Sequence, residues 1–221
     1  MTDFEIKCGN DHVAEYICTS NEFAATGIRF LLRKIGKSGL RIKNHVELQK
    51  IKELNKLQNW RLIMSIPAEP LLLLSKLGSL KSLIYCSEKP PSILLLSDLP
   101  QKWIIATLES LGCSSKMLIN IIVLPEKAEC SLITSFLSGK IESYTSLYHD
   151  NLRHSLYPVL TLKEYEAVSR WLKGYSLKES ATLSCRSVNT VYVQRYNGLH
   201  KLSAIFPQLR PRSKSSNQKN I

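Results

Sequence analysis

Between Thr161 and Ser187 the chain starts three helices in quick succession, and this spacing constrains its fold more than any other feature. Thr161-Leu162-Lys163-Glu164 is a capping box. The threonine hydroxyl caps the third helical N–H and the glutamate reaches back to the cap. Tyr165, Val168, Trp171 and Leu172 follow at the spacing of one apolar helical face. Gly174 ends the helix, since glycine adopts left-handed geometry without strain. Ser176-Leu177-Lys178-Glu179 is a second capping box. It opens a short helix to about Leu183, with Ala181 and Leu183 expected inward. Ser184-Cys185-Arg186 reads as a tight turn, and Ser187 caps a third helix running to about Leu202.

The third helix has two faces. Val188, Val191, Leu199 and Leu202 are expected to point one way, whereas Asn189, Tyr192, Val193, Tyr196 and His200 share another. The second face is uncharged apart from its flanks, Arg195 and Lys201, which suits either a groove-reading surface or a protein-binding one. A short helix, a tight turn and a longer helix make a helix-turn-helix, whose second helix enters the major groove of DNA.

The charge is placed to match. The 221 residues carry 30 Lys+Arg and 18 Asp+Glu, a net charge of +12. Residues 1–150 hold 18 basic and 15 acidic residues, whereas residues 151–221 hold 12 and 3. A localised basic module is the electrostatic footprint of nucleic-acid binding. The Arg210–Lys219 stretch supplies four of those charges, so the folded part of the module stays basic without it. The polar, aperiodic segment 143–158, ending in Pro158, reads as a linker. The expected organisation is therefore 1–142, a linker at 143–158, a helix-turn-helix domain at 159–206, and a basic disordered tail at 207–221.

Leu160–Leu202 resembles the DNA-binding domain of LuxR/FixJ/NarL-type transcription regulators. The likeness runs without a gap and includes Leu160-Thr161, Glu164, Glu166, Gly174, Ser176, Lys178-Glu179, Ala181, Ser187, Thr190-Val191, Arg195, Asn197 and Lys201-Leu202. Trp171 before Gly174 is similar to the RcsA/RcsB-like subgroup. The resemblance implies base contacts from Tyr192, Val193 and Tyr196, with Val188 and Asn189 at the start of the recognition helix. It implies phosphate contacts at or near Lys178, Ser187, Thr190, Gln194, Arg195 and Lys201. Cationic side chains neutralise phosphates, and Asn can pair bidentately with adenine. The sequence departs from the pattern at Tyr192, where lysine is usual, and at Gln194, where histidine is usual. Ser184, Arg186 and Gly198 replace apolar residues, and Gly198 is expected to cost about 1 kcal/mol of helix propensity as well as core contact. Pro207 and Pro211 interrupt the place of a fourth helix.

The first 140 residues alternate apolar runs with amphipathic stretches. Ala14–Cys18, Arg61–Ile66, Ser92–Leu96 and Leu118–Leu124 read as strands; Glu22–Lys34, Leu71–Leu83, Gln101–Leu111 and Ala128–Leu137 read as helices. This alternation predicts a parallel α/β sheet. The order resembles a receiver (flavodoxin-like) domain, most closely over Asn21–Ile28 and 92–140. A receiver places a carboxylate pair, an aspartate acceptor and a lysine at the ends of its strands around Mg²⁺. This chain has Thr19-Ser20-Asn21, Met64-Ser65-Ile66-Pro67 and Val123-Leu124-Pro125-Glu126 there, with Lys127 displaced and Ser97 alone in a hydroxyl position. The expected domain is a degenerate receiver that takes no phosphoryl group and serves dimerisation or partner docking.

The remaining signals exclude other classes. Cys8, Cys18, Cys86, Cys113, Cys130 and Cys185 form no CxxC pair, and the five histidines do not stand at ligand spacing with them. No metal site, disulfide framework or cofactor is expected. Asp98, Glu69 and Asp150 read as ordinary surface carboxylates, so no catalytic residue is expected and the chain is not read as an enzyme. No apolar run approaches the roughly 18 residues that span a bilayer, and no signal-peptide core is present. The sequence therefore predicts a cytoplasmic regulator, nucleoid-associated when bound, that activates transcription on double-stranded DNA. It would act as a homodimer, or as a heterodimer with another LuxR-type regulator. Two other readings stay open: a protein–protein adaptor or anti-activator that keeps the helix-turn-helix fold, and a LuxR-type regulator sensing a small molecule.

Overall fold

The structure is a computed structural model and describes residues 14–42, 60–87, 89, 92–140 and 157–211. Its first part is an all-parallel five-stranded sheet: β1 (Ala14–Cys18), β2 (Gly39–Arg41), β3 (Trp60–Ser65), β4 (Ser92–Leu96) and β5 (Ile121–Leu124). The strands lie in the order β2-β1-β3-β4-β5. The helices are α1 (Glu22–Lys34), α2 (Pro70–Tyr85), α3 (Gln101–Ser110), the single turn α4 (Ser115–Leu118) and α5 (Cys130–Leu137). This is the doubly wound arrangement that the alternation predicted. Strands covered on both faces must be apolar at successive positions, and β4 reads Ser-Ile-Leu-Leu-Leu accordingly.

Side chains alternate across the sheet. Tyr16, Cys18, Leu62, Met64, Ile93 and Leu95 face one core with Leu73, Leu77, Leu80 and Trp103. Ile17, Ile63, Leu94, Leu96, Ile122 and Leu124 face the other with Ile28, Leu32, Ile133 and Phe136. The first three expected strands stand within a residue of their predicted bounds. The fourth starts at Ile121, because Ser115–Leu118 coil into a helical turn first.

β2 was not legible as a strand. It is three residues long, its Leu40 is exposed, and it begins with Gly39. A Cβ at Gly39 would lie 2.5 Å from Leu32 Cδ1 and 3.0 Å from Ile17 Cδ1. The glycine lets the edge strand close against α1 and β1, the meaning a strand glycine often carries.

A buried carboxylate sits at the start of β1. Glu15 Oε1 accepts from Lys37 Nζ at 3.2 Å and from Arg61 Nη1 at 3.3 Å. Both cations also donate to the Leu137 carbonyl, at 2.7 Å each. They thereby satisfy the end of α5, where the helix dipole favours positive charge. Burial pushes the Glu15 carboxyl up, opposed by the adjacent Arg61 and Lys37.

The second part is the helix-turn-helix: α6 (Leu162–Leu172), α7 (Leu177–Ser184) and α8 (Val188–Leu202). Both capping boxes form. Thr161 caps the Glu164 N–H while Glu164 Oε2 accepts from Thr161 N at 2.8 Å; Ser176 and Glu179 repeat the exchange. Gly174 is left-handed, at φ 88°, and Cys185 takes the same conformation in the turn at φ 51°.

Three inward expectations fail. Trp171 is 36% exposed, Leu183 61% and Val188 43%. On α7 the buried residues are the small Ser180 and Ala181, which bring that short helix close to α8 and leave Leu183 outside. On α6 the module's own core takes Ala167 and Val168, while Tyr165 turns toward α2. Gly198 also differs from expectation. It is buried, and a Cβ there would lie 2.6 Å from Val168 Cγ2 and 3.3 Å from the Glu164 carbonyl. The missing side chain is the space in which α6 crosses α8. The chain expected as tail from 207 continues as a 3₁₀ turn, Pro207–Leu209, with Leu209 packed against the core. Residues 143–156, most of the expected linker, and residues 212–221 lie outside the described residues.

Candidate nucleic-acid interface

α8 is held from one side. Val191, Gly198, Leu199 and Leu202 are buried, so the helix cannot rotate without exposing them. Ser187 starts it by accepting from Thr190 N at 3.1 Å, and its hydroxyl shares a 2.7 Å hydrogen bond with the Thr190 hydroxyl. The first turn contains no acidic residue. The positive end of the helix dipole is therefore left for an anion.

The opposite face is open. Tyr192 is 41% exposed, Val193 45% and Tyr196 40%, and Val188 and Asn189 are exposed beside them. The Tyr192 and Tyr196 rings stack at 6.3 Å between centroids, and the Arg195 guanidinium lies 5.9 Å from the Tyr192 centroid. Asn189, Tyr192, Val193 and Tyr196 thus form the single surface expected of them, and Val188 joins them instead of the core. Lys178 is exposed on α7, Thr190 is exposed on α8, and Gln194 and Arg195 are half-buried at the edge of the face.

Lys201 stands apart. Its ammonium donates to Glu164 Oε2 at 2.7 Å and to the Val159 carbonyl at 3.1 Å. The ion pair is screened from solvent on the Glu164 side, where the side chain is 11% exposed. Lys201 ties the end of α8 to the start of α6. Glu164, legible only as a capping residue, therefore has a second role that nothing in the spacing revealed. Arg186, half-buried in the turn before α8, is a further cation at this end of the module.

The sheet offers a second place for chemistry. In a doubly wound fold, ligands bind beyond the carboxyl ends of the strands where the strand order reverses, here between β1 and β3. Thr19 Oγ1 accepts from Asn21 N at 3.2 Å, and Asn21 caps α1 through Phe23 N and Ala24 N. Glu69 caps α2 in the same way. Ser97 Oγ accepts from Leu99 N, and Asp98 accepts from Glu126 N at 3.1 Å. Lys76 reaches from α2 to the Cys18 thiol at 3.2 Å, placing positive charge at the end of β1. Among the described residues no three His, Cys, Asp or Glu side chains gather in a metal-ligating group, and no helix is long and apolar enough to cross a membrane.

No protein-family model and no curated protein sequence matches the chain. Solved structures match it over nearly its whole length. RcsB from Salmonella enterica serovar Typhimurium, bound to promoter P1flhDC in the presence of phosphomimetic BeF3-, is 19% identical with a TM-score of 0.52 and covers 90% of this chain and 98% of its own. A structure of two RcsB dimers bound to two parallel DNAs is 19% identical with a TM-score of 0.49, covering 91% and 100%. Full-length FixJ from B. japonicum is 17% identical with a TM-score of 0.37, covering 89% and 95%. The chain thus has the two-part fold of the promoter-bound RcsB structure, an α/β receiver-like sheet followed by a helix-turn-helix.

Proposed function

We propose that this chain is a sequence-specific DNA-binding transcription regulator, an activator that works in the cytoplasm at the nucleoid. In this reading it acts as a homodimer or with a second LuxR-type regulator, and is controlled by partnership or abundance instead of phosphorylation. The observation that carries the reading is α8: buried along one side, it presents Asn189, Tyr192, Val193 and Tyr196 as one uncharged exposed surface beside Arg195. That surface has the chemistry of a major-groove reader. Val188, Asn189, Tyr192, Val193 and Tyr196 then contact base edges. Lys178, Ser187, Thr190, Gln194 and Arg195 contact phosphates, while Lys201 acts through Glu164 to fix the helix. That RcsB, which shares the fold, is bound to promoter DNA supports the same use of the module here.

The carboxyl end of the sheet supports control without phosphorylation. Mg²⁺ demands several hard oxygen ligands. At the ends of β1 and β3 this chain instead supplies a capping asparagine, a proline and an ammonium at the Cys18 thiol.

Promoter DNA selected from a genomic library gives the test. Binding is expected to weaken steeply with salt, since each phosphate contact releases counterions. Tyr196→Ala is expected to remove about 1–3 kcal/mol of discrimination between selected and random duplexes. Arg195→Ala should weaken both and reduce the salt slope by about 1. A protein that retains no affinity for DNA at low salt, alone or with partner regulators, removes this reading. The exposed Leu183 and Val188 at the turn favour the adaptor as the second reading. It predicts full activity in cells from a variant that has lost the recognition face. Beryllium fluoride with Mg²⁺ should leave melting temperature and DNA affinity unchanged; a shift in either would restore phosphotransfer.

A further inference from the structure

The two parts of the chain are joined by a built interface centred on Tyr165. Its hydroxyl donates to the Leu74 carbonyl on α2 at 2.8 Å, and it lies over Gly78, where a Cβ would collide with that hydroxyl. The glycine is the notch and the tyrosine fills it. On the same side, Trp103 Nε1 donates to the Pro158 carbonyl at 3.4 Å, and the Ser110 hydroxyl donates to the Leu160 carbonyl. Leu160, Val168, Leu199, Leu202 and Phe206 are continuous with the sheet's core on its α2–α3 side. Burial pushes the Tyr165 phenol up, so it remains a donor at neutral pH.

The recognition face lies elsewhere. The hydrogen bonds described between the two parts come from residues 158–165 of the module and none from α8. A docked arrangement that packed that face against the sheet would silence DNA binding. Tyr192, Val193 and Tyr196 instead keep 40–45% of their surface. Intrachain domain interfaces are by default small, polar and mobile, whereas this one combines a buried apolar core with a shape-matched notch.

We infer that α6 docks the module on α2 through the Tyr165–Gly78 notch in an orientation that leaves α8 open, so that the chain binds DNA without releasing one domain from the other. The consequence for DNA rests on the function proposed above; the docking itself does not.

Ser75 and Lys173 line the groove between α2 and α6 from opposite sides. The test is the full chain carrying Ser75→Cys and Lys173→Cys, with its native exposed cysteines replaced by serine, treated with a short bismaleimide. The probe is a pool of short random-sequence duplexes at low salt. Docking predicts efficient intramolecular cross-linking, lowered several-fold by Gly78→Val. Presentation predicts that the cross-linked protein binds DNA within about twofold of the same protein left uncross-linked. Failure to cross-link overturns the docking. Cross-linking that weakens DNA binding by about tenfold or more overturns the presentation, because the docked state would then be the silent one. If cross-linking succeeds and neither form binds DNA, alone or with partner regulators, docking stands, and the DNA-binding reading falls together with its consequence here.

Discussion

In the helical module every helix carries its own start signal: Thr161, Ser176 and Ser187 each accept from a backbone N–H three residues on, two of them in reciprocal capping boxes. In the sheet unit α3, α4 and α5 begin without any side-chain cap. Their positions are set by burial and by contacts between distant segments, such as Glu15 with Arg61, 46 residues apart, and Arg61 with the Leu137 carbonyl, 76 residues apart. One region is specified within a few residues and the other across the whole domain. The two should therefore fail differently when single residues are changed.

The largest effect is expected in the long-range region. Arg61→Met leaves the buried Glu15 with only the partly exposed Lys37 and removes one of the two cations that donate to the Leu137 carbonyl at the end of α5. Breaking a buried pair from one side costs about 3 kcal/mol or more, which a urea midpoint measures. An unchanged midpoint would mean that the Glu15 cluster does not hold the sheet.

Gly198→Ala probes the one place where the helical module depends on a tight crossing. By propensity alone the substitution stabilises a helix by about 1 kcal/mol. Here the new Cβ would lie 2.6 Å from Val168 Cγ2, with the Glu164 carbonyl, which cannot give, 3.3 Å away. Overpacking costs about 1–3 kcal/mol, so a net loss near 1 kcal/mol is expected in thermal unfolding. A gain would show that the crossing is loose.

The smallest effect is a pH dependence. The Ser176 side chain, and then its backbone N–H, hold the Glu179 carboxyl below its ordinary value of 4.5. A depressed folded value means that the capping contribution is complete above 4.5 and is lost as pH falls through the folded value. Helix content of the module followed by circular dichroism should show a small loss in that range, absent in Glu179→Gln. Because Glu179 is fully exposed, a large loss would implicate other carboxylates.

These contrasts explain what was legible beforehand. The cap at Thr161 and the stop at Gly174 are encoded by neighbours, so the module could be read from spacing. The strands of the sheet were readable because burial on both faces requires apolar runs. β2 and the Glu15–Lys37–Arg61 cluster were not, since a three-residue edge strand and an ion pair between remote segments leave no local period. Inward and outward directions were the weakest expectations. Trp171, Leu183 and Val188 fit an apolar stripe, but α7 uses small residues at its contact and α6 has two partners to face. Gly198 looked like a defect and proved to be a contact surface.

By itself the sequence determined the three capped helices of the module, the basic charge around them and the uncharged face of Asn189, Tyr192, Val193 and Tyr196, because caps and helical periodicity act over three or four residues. Tertiary structure alone decided that Lys201 is held by Glu164, that Tyr165 leaves its own module for the notch at Gly78, and that α8 faces outward from the docked pair. Each of these depends on which surfaces meet, and packing between distant segments obeys shape and burial instead of local spacing.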